Sequence, residues 1–171
     1  MTALYTLTSL GACAEALEWV AAQPDQSPAA LWATCPRGDW LAWYLGSLGA
    51  RAGRGSPEHR RAVLIACLCA KTALPHAGQG REEIDALVGH VEAWAHGEAV
   101  DFAPLLRRLR ESALTATTAA AYAAAYAVAA YAHGPSATYA AAAAAATWGE
   151  ARARHLAALA DIIRSAAPEA P

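Results

Sequence analysis

Residues 81–97 read REEIDALVGHVEAWAHG, and the fold turns on this stretch. Ile84, Leu87, Val88, Val91, Trp94 and Ala95 recur at the spacing that lines one face of an α-helix. Glu82, Glu83 and Asp85 stand near the positive end of the helix dipole, and His96 stands near the negative end. Gly97 follows, where a left-handed residue closes a helix. The β-branched clusters and two-residue alternation that strands need are missing from the chain. The expected fold class is therefore all-α.

Working outward, Ser56-Pro57 carries a helix-start signal, because a serine hydroxyl caps an orphan N–H and proline lacks one. The helix it opens shows a broad apolar face (Val63, Leu64, Cys67, Leu68, Leu74) and ends by Pro75. So wide a face predicts a central helix with neighbours on several sides. Residues 49–56 read as a flexible basic loop. Before it, Asp39 is expected to cap a helix over Trp40–Leu48, with Gly38 supplying the turn after Pro36. Ser27-Pro28 opens a short helix to about Cys35, and a first helix is expected over Ser9–Gln23.

Downstream, Asp101 and Pro104 start a helix through Leu105, Leu106, Leu109 and Ala113 that is expected to run on to about Ala132. Gly134-Pro135 breaks it, and Ser136 caps a last helix reaching Ile163 or Arg164. Alanine has the best helix propensity and a small side chain, so these segments predict a close-packed helical hairpin. The expected organisation is a single domain over 1–166 of six to seven helices. Its Trp/Leu core spans 9–110, its Ala-rich hairpin 111–166, and a disordered tail 167–171.

Composition narrows the function. A formal net charge of -2 disfavours nucleic acid as a partner, since phosphate binding needs a positive field. Apart from His133, residues 112–149 include no formally charged residue, but Gly134-Pro135 splits them and they are mostly Ala, Thr and Tyr. A membrane span is therefore not expected. No secretory leader is read at the start, so the four cysteines are expected to be reduced, mostly buried small hydrophobes of a cytoplasmic protein. With one lysine among thirteen basic residues, the composition also points to GC-rich bacterial coding.

No metalloprotease, nucleophile-elbow, phosphate-loop or CxxC pattern is present, so no catalytic residue, metal or cofactor is expected. The dense cluster is Trp32-Ala-Thr-Cys-Pro-Arg-Gly-Asp-Trp-Leu-Ala-Trp-Tyr44. It has a plain reading, in which Trp40 and Trp43 fill the core and Asp39 is a cap. It also has a functional one, in which Arg37, Asp39, Trp40 and Trp43 form an aromatic-walled concave surface for a cationic or planar group. Tyr122 and Tyr126, four apart on one face, offer a second candidate contact for a partner or a second copy.

The run LWATCPRGDWLAWYL, after ACAEALEWVAAQ and before CLCAKTALP, EAWAHGEAV and LADIIRSAAP, resembles an immunity-protein family of small Ala-rich helical bacterial and phage proteins. The resemblance extends over nearly all of the chain, and Arg37-Gly38-Asp39-Trp40 is its specific part. Ala42 and Tyr44 depart from it, standing where the family tends to have an aliphatic residue, a change that enlarges or polarises the local pocket. The resemblance implies a cytoplasmic protein that binds and neutralises a protein toxin without catalysis. Two other classes compete with it. One is a small-ligand protein with an aromatic pocket between residues 31–45 and the Ala-rich hairpin; the other is a structural homodimer through the Ala/Tyr face.

Overall fold

The computed structural model describes residues 2–76, 81–101, 104 and 152–167. Among these residues the chain forms seven α-helices, one 3-10 turn and no strand, an all-α architecture. The helices are α1 (Ala3–Leu10), α2 (Ala14–Ala21), α3 (Pro28–Thr34), α4 (Gly38–Ala52), α5 (Pro57–Ala73), α6 (Arg81–Ala95) and α7 (Arg152–Ala166). The 3-10 turn Leu74–His76 prolongs α5. The expected helix past Pro104, the break at Gly134-Pro135 and most of the hairpin lie outside the described residues, as does the tail after Ala167.

The two Ser-Pro starts form as their chemistry dictates. Ser27 Oγ accepts from the Ala30 N–H at 3.3 Å, and Ser56 Oγ accepts from the His59 N–H at 3.1 Å. At the other end of α6, Gly97 closes the helix with φ +102°, a left-handed conformation that glycine adopts without penalty. The expected helix over Ser9–Gln23 is two helices instead. Gly11 takes φ +82° and donates to the carbonyls of Leu7 and Thr8, so α1 ends there and α2 starts afresh after Cys13. The loop expected over 49–56 shrinks to 53–56, because α4 continues to Ala52.

The core gathers around α5, as its wide apolar face requires. Val63, Ile65, Ala66, Cys67, Cys69 and Ala70 are all buried, with α4, α6 and α7 packed around them. From α6, Val88, Val91 and Ala95 enter this core, while Ile84, Leu87 and Trp94 pack half-buried against it. Small residues decide how closely the helices approach. A Cβ at Gly49 would come within 2.9 Å of His59 Cα, and one at Gly38 would lie 2.7 Å from the Ala160 backbone nitrogen. Gly38 is thus the first residue of α4, needed for contact with α7 and not for the turn expected of it.

Helix α7 closes the chain back onto α3. Trp32 Nε1 donates to the Ala167 carbonyl at 3.2 Å, and Arg164 Nη1 donates to the Cys35 carbonyl at 2.9 Å and the Trp32 carbonyl at 3.4 Å. Those are orphan carbonyls at the end of α3, so one guanidinium caps a helix from far along the sequence. Ala167, expected to begin a disordered tail, is fully buried by this contact. Across the molecule Arg60 does similar work, donating to the Trp94 carbonyl at 3.0 Å with its guanidinium 5.1 Å from the Trp94 ring. Lys71 and Glu92 pair at 2.6 Å between α5 and α6.

The glycines yield an opposed pair of expectations. Gly38→Ala should destabilise by about 1–3 kcal/mol through overpacking against Leu159 and Ala160. Gly89→Ala, in α6 with nothing within 4 Å of its Cβ position, should stabilise by about 0.4–1 kcal/mol. Denaturant unfolding of both variants tests the close approach of α4 to α7; equal signs would refute it.

Candidate functional site

Asp39 decides the local chemistry of the dense cluster. Its carboxylate has no solvent exposure, and such a group must be paired and hydrogen-bonded to stay charged. Arg37 supplies both needs. Its Nε donates to Oδ1 at 2.8 Å and its Nη2 to Oδ2 at 2.7 Å, a two-pronged grip on one carboxylate. The Trp40 N–H adds a donor to Oδ1 at 3.1 Å. Asp39 is therefore not the cap: Arg37 occupies the N-cap position, without a side-chain capping bond to the helix backbone, and Asp39 sits inside the first turn. Its negative charge there is favoured by the helix dipole.

The remaining face of Arg37 organises the surface. Nη1 bonds Glu15 Oε1 on α2 at 2.9 Å, and the guanidinium lies 4.6 Å from the Trp40 ring centre. Trp40 in turn packs against Trp19, ring centres 6.1 Å apart and planes tilted by 55°. The Arg37 side chain keeps 20% exposure while Glu15 keeps 69%, so the pair bridges a buried carboxylate to open surface.

Beside this cluster lies a partly open pocket of about 220 Å³. Trp19, Trp32, Trp40, Trp43 and Tyr44 supply its aromatic walls. Val20, Leu31 and Leu41 line its apolar inner side, and α1 contributes Ala3, Thr6 and Leu7. Among the described residues no charged one lines it. Burial raises the Tyr44 hydroxyl above its ordinary pKa, so the one phenol of the wall stays neutral well into the alkaline range.

The expected residues are thus brought together in part. Arg37, Asp39 and Trp40 form one cluster, but Asp39 is sealed beneath it and cannot face a ligand. Trp40 and Trp43, core in the plain reading and aromatic wall in the functional one, are half-buried pocket walls, and Trp32 is the tryptophan of this run that is buried. Among the described residues the pocket forms between α1–α2 and residues 28–44; most of the Ala-rich hairpin expected to complete it lies outside the described residues. Tyr122 and Tyr126 lie outside the described residues. Sequence reading missed Trp19 and α1 as walls and Glu15 as the second partner of Arg37. The adjacency of ALEW to an aromatic run was the available signal.

Three of the four cysteines behave as small hydrophobes. Burial pushes Cys35 up to about 11 and Cys69 up to about 12, and it raises Cys67 as well. Cys13 is exposed, and all four are free thiols. Among the described residues no three His, Cys, Asp or Glu side chains gather as metal ligands, and no helix is long and apolar enough to cross a membrane.

No protein-family model matches the chain, and no curated protein or solved structure matches it at a significant level.

The two carboxylates on Arg37 should respond differently to mutation. Arg37→Ala strands the buried Asp39 charge and should cost about 3–5 kcal/mol. Glu15→Ala removes an exposed partner and should cost about 0–1 kcal/mol. Urea melts of both distinguish this from a surface role for Asp39, which equal small losses would indicate.

The thiols give a second expectation. Under native conditions a disulfide reagent should modify Cys13 quickly and the other three only upon unfolding. An unfolded Cys35 thiol ionises near 9.0 and the folded one near 11, so stability should fall as pH rises across that window. Cys67 and Cys69, raised in the same direction, add to that slope, so Cys35→Ala should lessen it without abolishing it, as read from melts in reductant.

Proposed function

We propose that the chain is a binding protein of the immunity type, which neutralises a protein toxin by holding it and not by reacting with it. One observation carries this reading: Arg37 donates through two nitrogens to both oxygens of a buried carboxylate while stacked on Trp40. Arginine and tryptophan dominate the energetics of protein interfaces, and fixing them before contact removes much of the ordering cost of association. The same four residues, Arg37-Gly38-Asp39-Trp40, are the specific part of the resemblance to the immunity-protein family. The contact surface in this reading comprises Arg37, Trp40 and Trp43, with Asp39 beneath as their support. A cytoplasmic site of action and a bacterial or phage setting belong to the same proposal. The Ala/Tyr face, and with it a second copy as partner, lies outside the described residues and carries none of it.

A second reading, small-ligand binding, is favoured by one specific feature, the apolar pocket walled by four tryptophans. Pockets of that character, concave and mostly apolar, are the ordinary form of small-molecule sites.

The immunity reading is tested by expressing each product of the genes neighbouring this one in a sensitive host, with and without the chain. One neighbour should arrest growth, and the chain should relieve the arrest and co-purify with it at fixed stoichiometry. Trp43→Ala, first shown by its melt to be folded, should weaken that relief at least about tenfold, the effect of a lost interface anchor. Arrest that persists undiminished beside the wild-type chain, or neighbours that are all harmless, would sink the proposal.

A further inference from the structure

The pocket has a size, a lining and a cover, and together they specify a class of occupant. Its roughly 220 Å³ exceeds the roughly 150 Å³ of a cavity that holds one benzene ring. It falls short of the volume of drug-sized sites, which begin at about 300 Å³. That leaves room for two fused rings. Indole and phenol side chains form the walls, and aromatic faces favour a planar partner set offset or edge-on. Among the described residues no charged one lines the space, so an ionised ligand would lose its hydration without gaining a counter-charge from them.

Helix α1 supplies the cover. It contributes a wall through Ala3, Thr6 and Leu7, yet none of its own residues is buried. It joins α2 through Gly11 at φ +82°, and a single bond from Arg51 Nη2 to the Ser9 carbonyl, 3.2 Å, ties its end to α4. A helix that walls an apolar pocket while its apolar residues stay no more than half-buried among the described residues has apolar contacts still to make. An occupant would complete them.

We propose that this pocket binds a neutral, planar, bicyclic aromatic molecule of the indole or naphthalene kind, with α1 ordering over it. The proposal rests on the small-ligand reading and is independent of the immunity reading. The ring system lies among Trp19, Trp40, Trp43 and Tyr44, and Leu7 closes on it from α1.

Calorimetric titration of the full chain with indole tests it, with indole-3-acetate as the charged control and n-octanol as the flexible apolar one. Indole should bind once per chain with a Kd tighter than about 1 mM, and the two controls at least about tenfold more weakly. Hydrogen exchange of α1 amides should slow on binding in the wild-type protein, a readout that needs no variant. Ala3→Trp, which places an indole of its own into the space from α1, should abolish the heat of binding. If octanol binds as tightly as indole, the ligand class is wrong while the small-ligand reading survives. If neither binds, both fall. Binding that leaves α1 exchange unchanged and ignores Ala3→Trp would put the site elsewhere and overturn the proposal.

Discussion

A carboxylate cut off from water is expensive unless a cation meets it squarely, and in this protein Asp39 is that carboxylate. The cation comes from two residues upstream, so satisfying the charge also fixes how the chain enters α4. Entry at that angle sets Gly38 against the backbone of α7, where no side chain could fit. The docked α7 then places Arg164 and Ala167 on the end of α3. One ion pair thus governs the junction of the consecutive helices α3 and α4 with α7, far along the chain. Its outer face governs the surface as well, since the guanidinium held by Asp39 is the one that stacks on Trp40 and reaches Glu15. Replacing such a buried pair by apolar residues often leaves stability unchanged or raises it. The pair is better explained by what it positions than by any gain in stability.

Much of the fold was legible because its signals are local. The Ser27 and Ser56 caps, the amphipathic face of residues 84–95 and the centrality of α5 each follow from spacing and from chemistry within one turn. What escaped reading was non-local. A glycine in αL and a glycine inside a long helix look alike in sequence, so Gly11 was read through as helix. Gly38 was read as a turn residue for the same reason, although what demands glycine there is the backbone of Ala160. Asp39 followed a sound cap rule and broke it, because its first-turn position met an arginine two residues back.

The site was half legible for a related cause. Sequence showed that Trp40, Trp43 and Arg37 are crowded together, but crowding does not say which side faces in. Trp32 took the buried place because its indole N–H finds the Ala167 carbonyl, a partner 135 residues away. Trp19 joined from a helix that looked unremarkable, since its value lies in the ring it meets and not in its neighbours along the chain.

Why this corner of the molecule leaves a pocket also follows from its side chains. Indole rings are large, rigid and planar, and four of them around one space cannot interdigitate as branched aliphatics do. Elsewhere the core uses Val, Ile, Ala and Cys on closely approaching helices, and there small volumes fill the gaps. The same corner is also where the shortest of the described helices meet: α1, α2 and α3 have eight, eight and seven residues. Short helices at this length gain little from propensity and depend on tertiary packing. Local opening is therefore easiest where the pocket lies, and a group entering there would add the contacts that these helices lack. Packing and binding are in this sense one problem: the feature that leaves α1 least anchored also gives a ligand the most to stabilise.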